Sequence, residues 1–471
     1  MPTYRPVPTR FILRHGERRI LLIIGDLAMA GLAITLALII WAIGDPTFEF
    51  SREFISRTPS WFFLLPLIWL VLMSGLYNEK RAGNWDETLR ILAMAAVVGI
   101  ASYAIIYFIN PPKSLPRRGV ASFSALVLIL TLVWRFLYIK IFTAPQFLRR
   151  VLLVGGGDTG QIILRIVAEM IPSPFMLVGI IDDDQKKIGK KIEGFTVLGD
   201  SSQLLGIINE QKISDLIVAI SGKMNGMMFQ ALLDAQESGV DITRMPVAYE
   251  DLLGRVPILY LEADWILRSF VDEVRSNVLF GSLKRLFDIC GALFGILLVA
   301  FLFPFIALAI VIDSGFPILY SQMRMGRGGS EFKITKFRTM LQDADQSGNF
   351  HTIENDKRTT RIGKFLRKTH LDEFPQFINV LRGEMSIVGP RAERPELVQL
   401  YQKSVPFYRS RLLVKPGITG WAQVNQVYAA TIDENIVKLE YDLYYIKHRS
   451  LGLDIRIIFR TPMMVIGMKG R

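Results

Sequence analysis

The chain has 471 residues, of which 51% are apolar and 21% charged, and its formal net charge is +12. Such a length exceeds one ordinary domain and such an apolar share exceeds what one soluble core needs, which excludes a small soluble module and indicates a multidomain membrane protein. The basic balance suits cytoplasmic loops facing anionic headgroups better than nucleic acid, and one cysteine, Cys290, with four histidines excludes a disulfide framework and a cysteine-based zinc cluster.

Four apolar stretches come first, at 20–43, 61–77, 90–109 and 120–142, each close to the ~20 residues that cross a bilayer. The first is too long for a signal-peptide core. Five leader arginines (Arg5, Arg10, Arg14, Arg18 and Arg19) hold the amino terminus in the cytoplasm, and Lys80, Arg81, Arg149 and Arg150 agree with that topology. Lys113, Arg117 and Arg118 fall on the outer side and count against it. The region 1–148 is thus expected to be a four-helix transmembrane part, with everything after residue 145 cytoplasmic. Asp26, inside the first stretch, is either a helix-packing polar group or a functional one.

A soluble α/β unit is expected over 149–255. Val151-Leu152-Leu153-Val154 reads as a buried strand, Gly155, Gly157 and Gly160 supply G-x-G-x-x-G, and 161–170 reads as the helix that follows, which together make a Rossmann-like turn. A second strand, 176–181, ends at Asp182, where a ribose-binding acid would stand. Either a bound dinucleotide or close strand–helix packing accounts for these glycines. Further strands are expected at 214–221 and 241–247, with a helix at 227–238 between them.

After a linker at 256–280, the remainder, 281–471, forms one more domain. Its segment 288–312 is long enough to span a bilayer, but Pro304 interrupts it, and Lys284 and Arg285 before it and Arg324 and Arg327 after it hold both ends on the cytoplasmic side. A helix broken at Pro304 that enters the inner leaflet and returns satisfies both constraints. The alternative is a fifth full span.

Thr369-His370-Leu371-Asp372-Glu373-Phe374-Pro375-Gln376 places two adjacent carboxylates among cations, with Lys336, Arg338, Arg367 and Arg391 nearby in sequence. An Asp-Glu pair is ordinarily a solvated helix face. Within so basic a surround it suits a phosphorylated substrate, with Mg²⁺ and arginines offsetting the charge that would repel an attacking carboxylate.

Five motifs together carry a resemblance: Lys284-Arg285-x-x-Asp288, Lys336-Phe337-Arg338-Thr339-Met340, Leu371-Asp372-Glu373-Phe374-Pro375-Gln376, Gly389-Pro390-Arg391 and Lys415-Pro416-Gly417-Ile418-Thr419-Gly420. Over about 280–465 the chain resembles the bacterial polyprenyl-phosphate sugar-1-phosphate transferases in their long form. The resemblance implies a membrane α plus α/β fold: four transmembrane helices, a Rossmann-like α/β domain and a monotopic catalytic domain with a re-entrant helix. It makes Asp372 the nucleophile with Glu373 assisting, puts Mg²⁺ at that pair, sets Lys336, Arg367 and Arg391 on phosphate with Arg338 beside them, and has Asp442 support the site.

The implied reaction moves a hexose 1-phosphate, glucose 1-phosphate foremost, from a UDP-sugar to undecaprenyl phosphate. UMP is released, at the inner membrane, in the first membrane step of exopolysaccharide, capsule or O-antigen synthesis. A second copy of the chain counts among the expected partners, and nucleic acid does not. Two departures stand out: Ala392 where the family often has proline, and Gln426-Val427-Tyr428 after Asn425 where many members carry Gly-Arg, which leaves the nucleoside contact unassigned. Lys415, Gln423 and Asn425 suit a structural turn as well as a substrate contact. The competing reading is a membrane-anchored NAD-dependent nucleotide-sugar dehydratase or epimerase built on the Gly155 turn, yet none of the 14 tyrosines has a lysine four positions on, as the base of such enzymes requires. A non-catalytic membrane scaffold is the third reading.

Overall fold

The computed structural model describes residues 15–43, 50–77, 82–83, 85–109, 116–142, 148–170, 173–261, 278–341, 358–426 and 431–466. They belong to two compact units, 1–245 and 246–471.

The first unit opens with long helices α1 (His15–Ile43), α4 (Trp85–Ile109) and α5 (Arg117–Phe142). Between α1 and α4 the chain is short-paced: α2 (Arg52–Arg57), a 3-10 turn Ser60–Leu64, α3 (Leu65–Leu72) and a second 3-10 turn Met73–Tyr77. The stretch 61–77, read as one span, is therefore several pieces. Pro66 lacks an amide donor and so starts a new helix at its first turn instead of continuing the one before. Among the described residues three helices are long and apolar enough to cross a membrane: Glu17–Ile43, Arg117–Ile141 and Leu279–Ser314. Asp26 meets Arg135 across α1 and α5 at 2.5 Å with neither side chain exposed, and Arg135 also donates to Leu76 O at 3.4 Å. Asp26 thus packs helices together.

Next follow β1 (Arg150–Val154), α6 (Asp158–Glu169), β2 (Met176–Ile181), β3 (Lys191–Ile192), β4 (Phe195–Gly199), α7 (Leu204–Gln211), β5 (Asp215–Val218), α8 (Gly226–Glu237) and β6 (Asp241–Arg244). The sheet order is β3-β4-β2-β1-β5-β6, parallel from β4 to β6, with the two-residue β3 antiparallel at the edge. This is the doubly wound order in which the first strand lies centrally and the turn after it opens at the strands' carboxyl ends. The β-α step β4–α7 has no counterpart among the expected elements.

The second unit contains residues 246–253 of α9 (Met245–Leu253), α10 (Val278–Ser314), the antiparallel hairpin β7 (Leu319–Met325) and β8 (Glu331–Phe337), then α11 (Arg361–Thr369), α12 (Phe377–Arg382), β9 (Ser386–Val388), α13 (Pro395–Ser404), β10 (Gly417–Thr419), α14 (Trp421–Asn425), α15 (Ile432–Lys447) and α16 (Leu451–Ile466). α10 runs as one helix of 37 residues through Pro304, not as two broken halves. One face lies on the rest of the unit: Gly291 faces Ile387, Gly295 meets the Phe377 ring, and a Cβ on these glycines would come to 2.2 and 2.6 Å of those side chains. Towards its carboxyl end Ile306 and Ile310 pack on Phe337 and Leu366.

The opposite face of α10 exposes Phe294, Leu297, Phe301, Phe305, Leu308 and Ile312 at helical spacing, each more than 60% accessible. Keeping each such side chain in water costs roughly 2 kcal/mol, so the stripe as a whole calls for an apolar medium. Val256 and Ile258, within the stretch read as a linker, are fully buried against Trp421, Leu439 and Leu443 in the core of this unit.

Candidate active site

In β8 the buried residues alternate, Phe332 and Ile334 turning inward, and Lys336 continues that inward parity. His370 adopts a left-handed conformation (φ 56) that ends α11 and turns the chain into a 3-10 helix, Leu371–Gln376, whose first turn carries Asp372 and Glu373. Both carboxylates are buried. A solvated helix face is thereby excluded.

The two carboxylates are treated differently. Glu373 Oε1 accepts from Lys336 Nζ at 2.6 Å and Arg391 Nη2 at 2.7 Å, and Oε2 from Arg391 Nη1 at 3.4 Å. Burial opposes its ionisation, but Arg391 and Lys336 overcome burial and hold Glu373 far below the usual carboxylate range. Arg391 is in turn raised by Glu373. Lys336 moves the other way: burial lowers its pKa despite Glu373, because Arg391 shares the same carboxylate.

Asp372 forms no hydrogen bond or ion pair among the described residues. Burial first and Glu373 second push it up to about 6, against the pull of Lys336, Arg367 and Arg391. Arg391 keeps 38% of its side-chain surface accessible, so it can still face an incoming anion. Arg367 donates to Thr339 Oγ1 at 2.9 Å and Thr359 Oγ1 at 3.3 Å and acts on Asp372 through its charge.

Two residues expected at the substrate serve elsewhere. Arg338 is buried, with Nη1 donating to Phe316 O at 2.8 Å and Nη2 to Ser314 O at 2.7 Å and to Gly315 O, so it closes the carboxyl end of α10, where carbonyls lack partners. Asp442 is buried and takes Arg411 Nη2 at 2.8 Å; Arg411 in turn donates to Arg391 O at 3.1 Å, so Asp442 supports the site one step removed. Sequence reasoning missed Arg411 at the site and Glu393, whose Oε1 takes Lys438 and Arg411, and it took Arg324, which donates to Ala392 O at 3.0 Å, only as a cation flanking the membrane segment. Only Glu393 stands close to the Gly389-Pro390-Arg391 turn in sequence; Arg411 and Arg324 reach it through the fold. Gln423 and Asn425 bond back to Ile418 O and Trp421 O, a structural use, and 427–430 lie outside the described residues.

No group of three or more His, Cys, Asp or Glu side chains among the described residues could hold a metal by itself. A hard cation carried on substrate phosphates needs only one or two carboxylate oxygens from protein. Uncommitted Asp372 and the second oxygen of Glu373 fit that requirement.

At the glycine turn, Gly155 has φ +101 and a Cβ on Gly160 would lie 2.1 Å from Gly155 O, whereas nothing lies within 4 Å of one on Gly157. Asp182 turns into the loop: its Oδ2 accepts from Gly156 N at 2.8 Å and from Lys187 Nζ at 2.9 Å. That amide and that carboxylate, the groups a dinucleotide would use, thus engage each other, which favours close packing as the reason for the glycines.

Residues 280–468 match the bacterial sugar transferase family and 72–246 match a CoA-binding domain. The UDP-N-acetylgalactosamine-undecaprenyl-phosphate N-acetylgalactosaminephosphotransferase of Aeromonas hydrophila is 41% identical over 217 residues, 46% of this chain and 50% of that protein. The UDP-glucose:undecaprenyl-phosphate glucose-1-phosphate transferase of Xanthomonas campestris pv. campestris is 33% identical over 295 residues, 60% of this chain and 59% of that protein. Against both, the chain covers less than two thirds of the relative's length. The exopolysaccharide production protein PSS of Rhizobium leguminosarum bv. phaseoli is 42% identical over 185 residues, 38% of this chain but 92% of that shorter protein.

Proposed function

Because the chain belongs to the bacterial sugar transferase family, we propose that it transfers a hexose 1-phosphate, glucose 1-phosphate foremost, from a UDP-sugar to undecaprenyl phosphate with release of UMP. The reaction would open exopolysaccharide, capsule or O-antigen synthesis. The observation that carries this reading is the unpartnered, buried carboxylate of Asp372 beside a Glu373 already neutralised by Lys336 and Arg391.

Asp372 Oδ attacks the phosphorus that bears the sugar, the bond from that phosphorus to the bridging oxygen breaks, and UMP leaves with that oxygen. The sugar phosphate then sits on Asp372 until an oxygen of undecaprenyl phosphate attacks the same phosphorus and returns the carboxylate. Arg391, anchored by Glu373 and by Arg411, faces the diphosphate and offsets its charge; Arg367 adds positive charge at Asp372. Mg²⁺ held by Asp372, Glu373 and the diphosphate oxygens would add Lewis-acid charge neutralisation.

A membrane acceptor needs the site at the bilayer surface. In our reading α10 enters the inner membrane and returns by bending at Pro304 within its continuous helix, with four further spans in 1–148, the second assembled from the short pieces over 61–77, and the catalytic domain in the cytoplasm. Support comes from the contacts of α10 near both its ends with the same unit, at Arg285 and Asp288 and again at Ile306 and Ile310, and from the cations flanking it. The dehydratase or epimerase alternative gains nothing from the glycine turn, whose acid is taken by Gly156 and Lys187. Incubating purified protein with undecaprenyl phosphate, Mg²⁺ and a panel of UDP-sugars tests the reading. UMP release that requires the lipid phosphate and is selective for one sugar is expected; no UMP from any of them would sink it.

A further inference from the structure

Away from the dyad, two cations converge without an ion pair to either among the described residues. Gly383, left-handed (φ 86), closes α12, and the last carbonyls of that helix, Val380 O and Leu381 O, accept from Arg285 Nη1 and Nη2, each at 2.7 Å. A Cβ built on Gly383 would lie 3.5 Å from Arg285 Nη2 and 3.5 Å from Lys415 Nζ. Lys415 makes no hydrogen bond or ion pair among the described residues, and Arg285 makes no ion pair there. The one acid felt at Lys415 is Asp288, whose Oδ1 already serves Lys284, Ser386 Oγ and Ile387 N.

Like charges brought to one point are unfavourable unless an anion joins them. Burial and then Arg285 lower the Lys415 pKa against the pull of Asp288, with Arg327 adding to that push, and among the described residues no carboxylate is paired with Lys415. Neither Arg285 nor Lys415 is among the groups that act on Asp372 or Glu373. Their setting is the first turns of α10, where Leu279, Leu283 and Leu286 are exposed and lead into the apolar stripe, and where the Arg449 guanidinium lies 5.9 Å from the Phe280 ring.

We propose that Arg285 and Lys415 form a binding site for the phosphate of an anionic membrane phospholipid, a site separate from the dyad and resting on the seating of α10 in the bilayer. Two cations that share no carboxylate among the described residues, beside exposed leucines at the end of a membrane helix, match a headgroup phosphate above an acyl chain.

The test uses the full chain in detergent, with short-chain phosphatidylglycerol, short-chain phosphatidylcholine and inorganic phosphate as probes. Phosphatidylglycerol should raise the thermal midpoint by about 2–5 °C and the other two should not. Lys415→Gln, which removes a side chain without hydrogen-bond or ion-pair partners among the described residues, should lose at least half of that rise while its KM for the UDP-sugar stays within about twofold. An equal rise in the variant overturns the site, and an equal rise with inorganic phosphate overturns the lipid source. A severalfold higher KM in the variant assigns the cations to the sugar donor and overturns the separation from the dyad. Protection of a Phe301→Cys side chain, in a Cys290→Ser background, from a water-soluble thiol reagent in neutral phosphatidylcholine vesicles reports the seating of α10 independently; full labelling removes the lipid from the proposal, whereas absent UMP release alone bears only on the transfer reaction.

Discussion

Lys336 and Arg391 close on the same oxygen of Glu373, at 2.6 and 2.7 Å, and in doing so leave the neighbouring carboxylate of Asp372 as the uncommitted negative charge of the pair. If Asp372 attacks as proposed, it must be ionised, and its upward shift to about 6 would set the acid limb of the reaction. The kcat/KM for UDP-sugar should rise as pH increases through about 6 and level off above. A profile flat from about pH 5 to 8 would remove Asp372 from the attacking role. Asp372→Asn should cost about a thousandfold or more in turnover in a folded protein.

The same substitution should stabilise. A carboxyl whose folded-state pKa lies above its unfolded value binds its proton more tightly when folded, so stability falls as pH rises from about 4 through about 6. Asp372→Asn removes that loss and should add on the order of 1–3 kcal/mol at pH 8, with the gain gone near pH 4. Thermal midpoints of both proteins at the two pH values check this, and an equal difference at both would contradict it.

Arg338→Lys keeps the charge but cannot satisfy the carbonyls of Ser314, Gly315 and Phe316 together. It should lower stability by about 2–4 kcal/mol while the folded fraction retains its KM for UDP-sugar. A raised KM with unchanged stability would return Arg338 to the substrate.

Gly160→Ala drives a methyl against Gly155 O and should unfold or loosen the α/β domain, whereas Gly157→Ala meets open space and should be within about 0.5 kcal/mol of wild type. Limited proteolysis of the two variants distinguishes them. Comparable sensitivity of both would show the turn to be built differently.

Residues 246–261 belong to the catalytic unit: Tyr249 donates to Glu440 Oε2 at 3.2 Å, Trp421 Nε1 to Gly254 O at 2.7 Å, and Val256 and Ile258 are core residues. A chain beginning at Pro246 should therefore fold and transfer sugar phosphate, and one beginning at Ala263 should not. Equal activity of both, measured as lipid-linked product, would show these contacts to be dispensable.

The dyad was legible because its neighbours in sequence, Lys336, Arg367 and Arg391, are also its neighbours in space. Arg338 misled because cations near the pair were read as a set, and only the fold reveals that its strand end meets the carbonyls closing α10. Arg411 and Asp442 illustrate the opposite limit. Their pairing joins positions 31 residues apart inside the core, and no local pattern announces which buried charges will meet. In the α/β domain the hydrophobic runs at β1 and β2 were plain, whereas Phe195–Gly199, five residues with a polar threonine and a terminal glycine, carries too weak an alternation to announce a strand.

The pairing of Asp26 with Arg135 sets a rule for biogenesis. Each charge alone in hydrocarbon costs several kcal/mol, and the two lie 109 residues apart on helices made at opposite ends of the amino-terminal region. The first helix cannot settle at low energy until the other emerges, so a chain interrupted between them leaves an unmatched carboxylate in the lipid. The charge pair thereby couples the first and last helices of the amino-terminal region in one step of assembly.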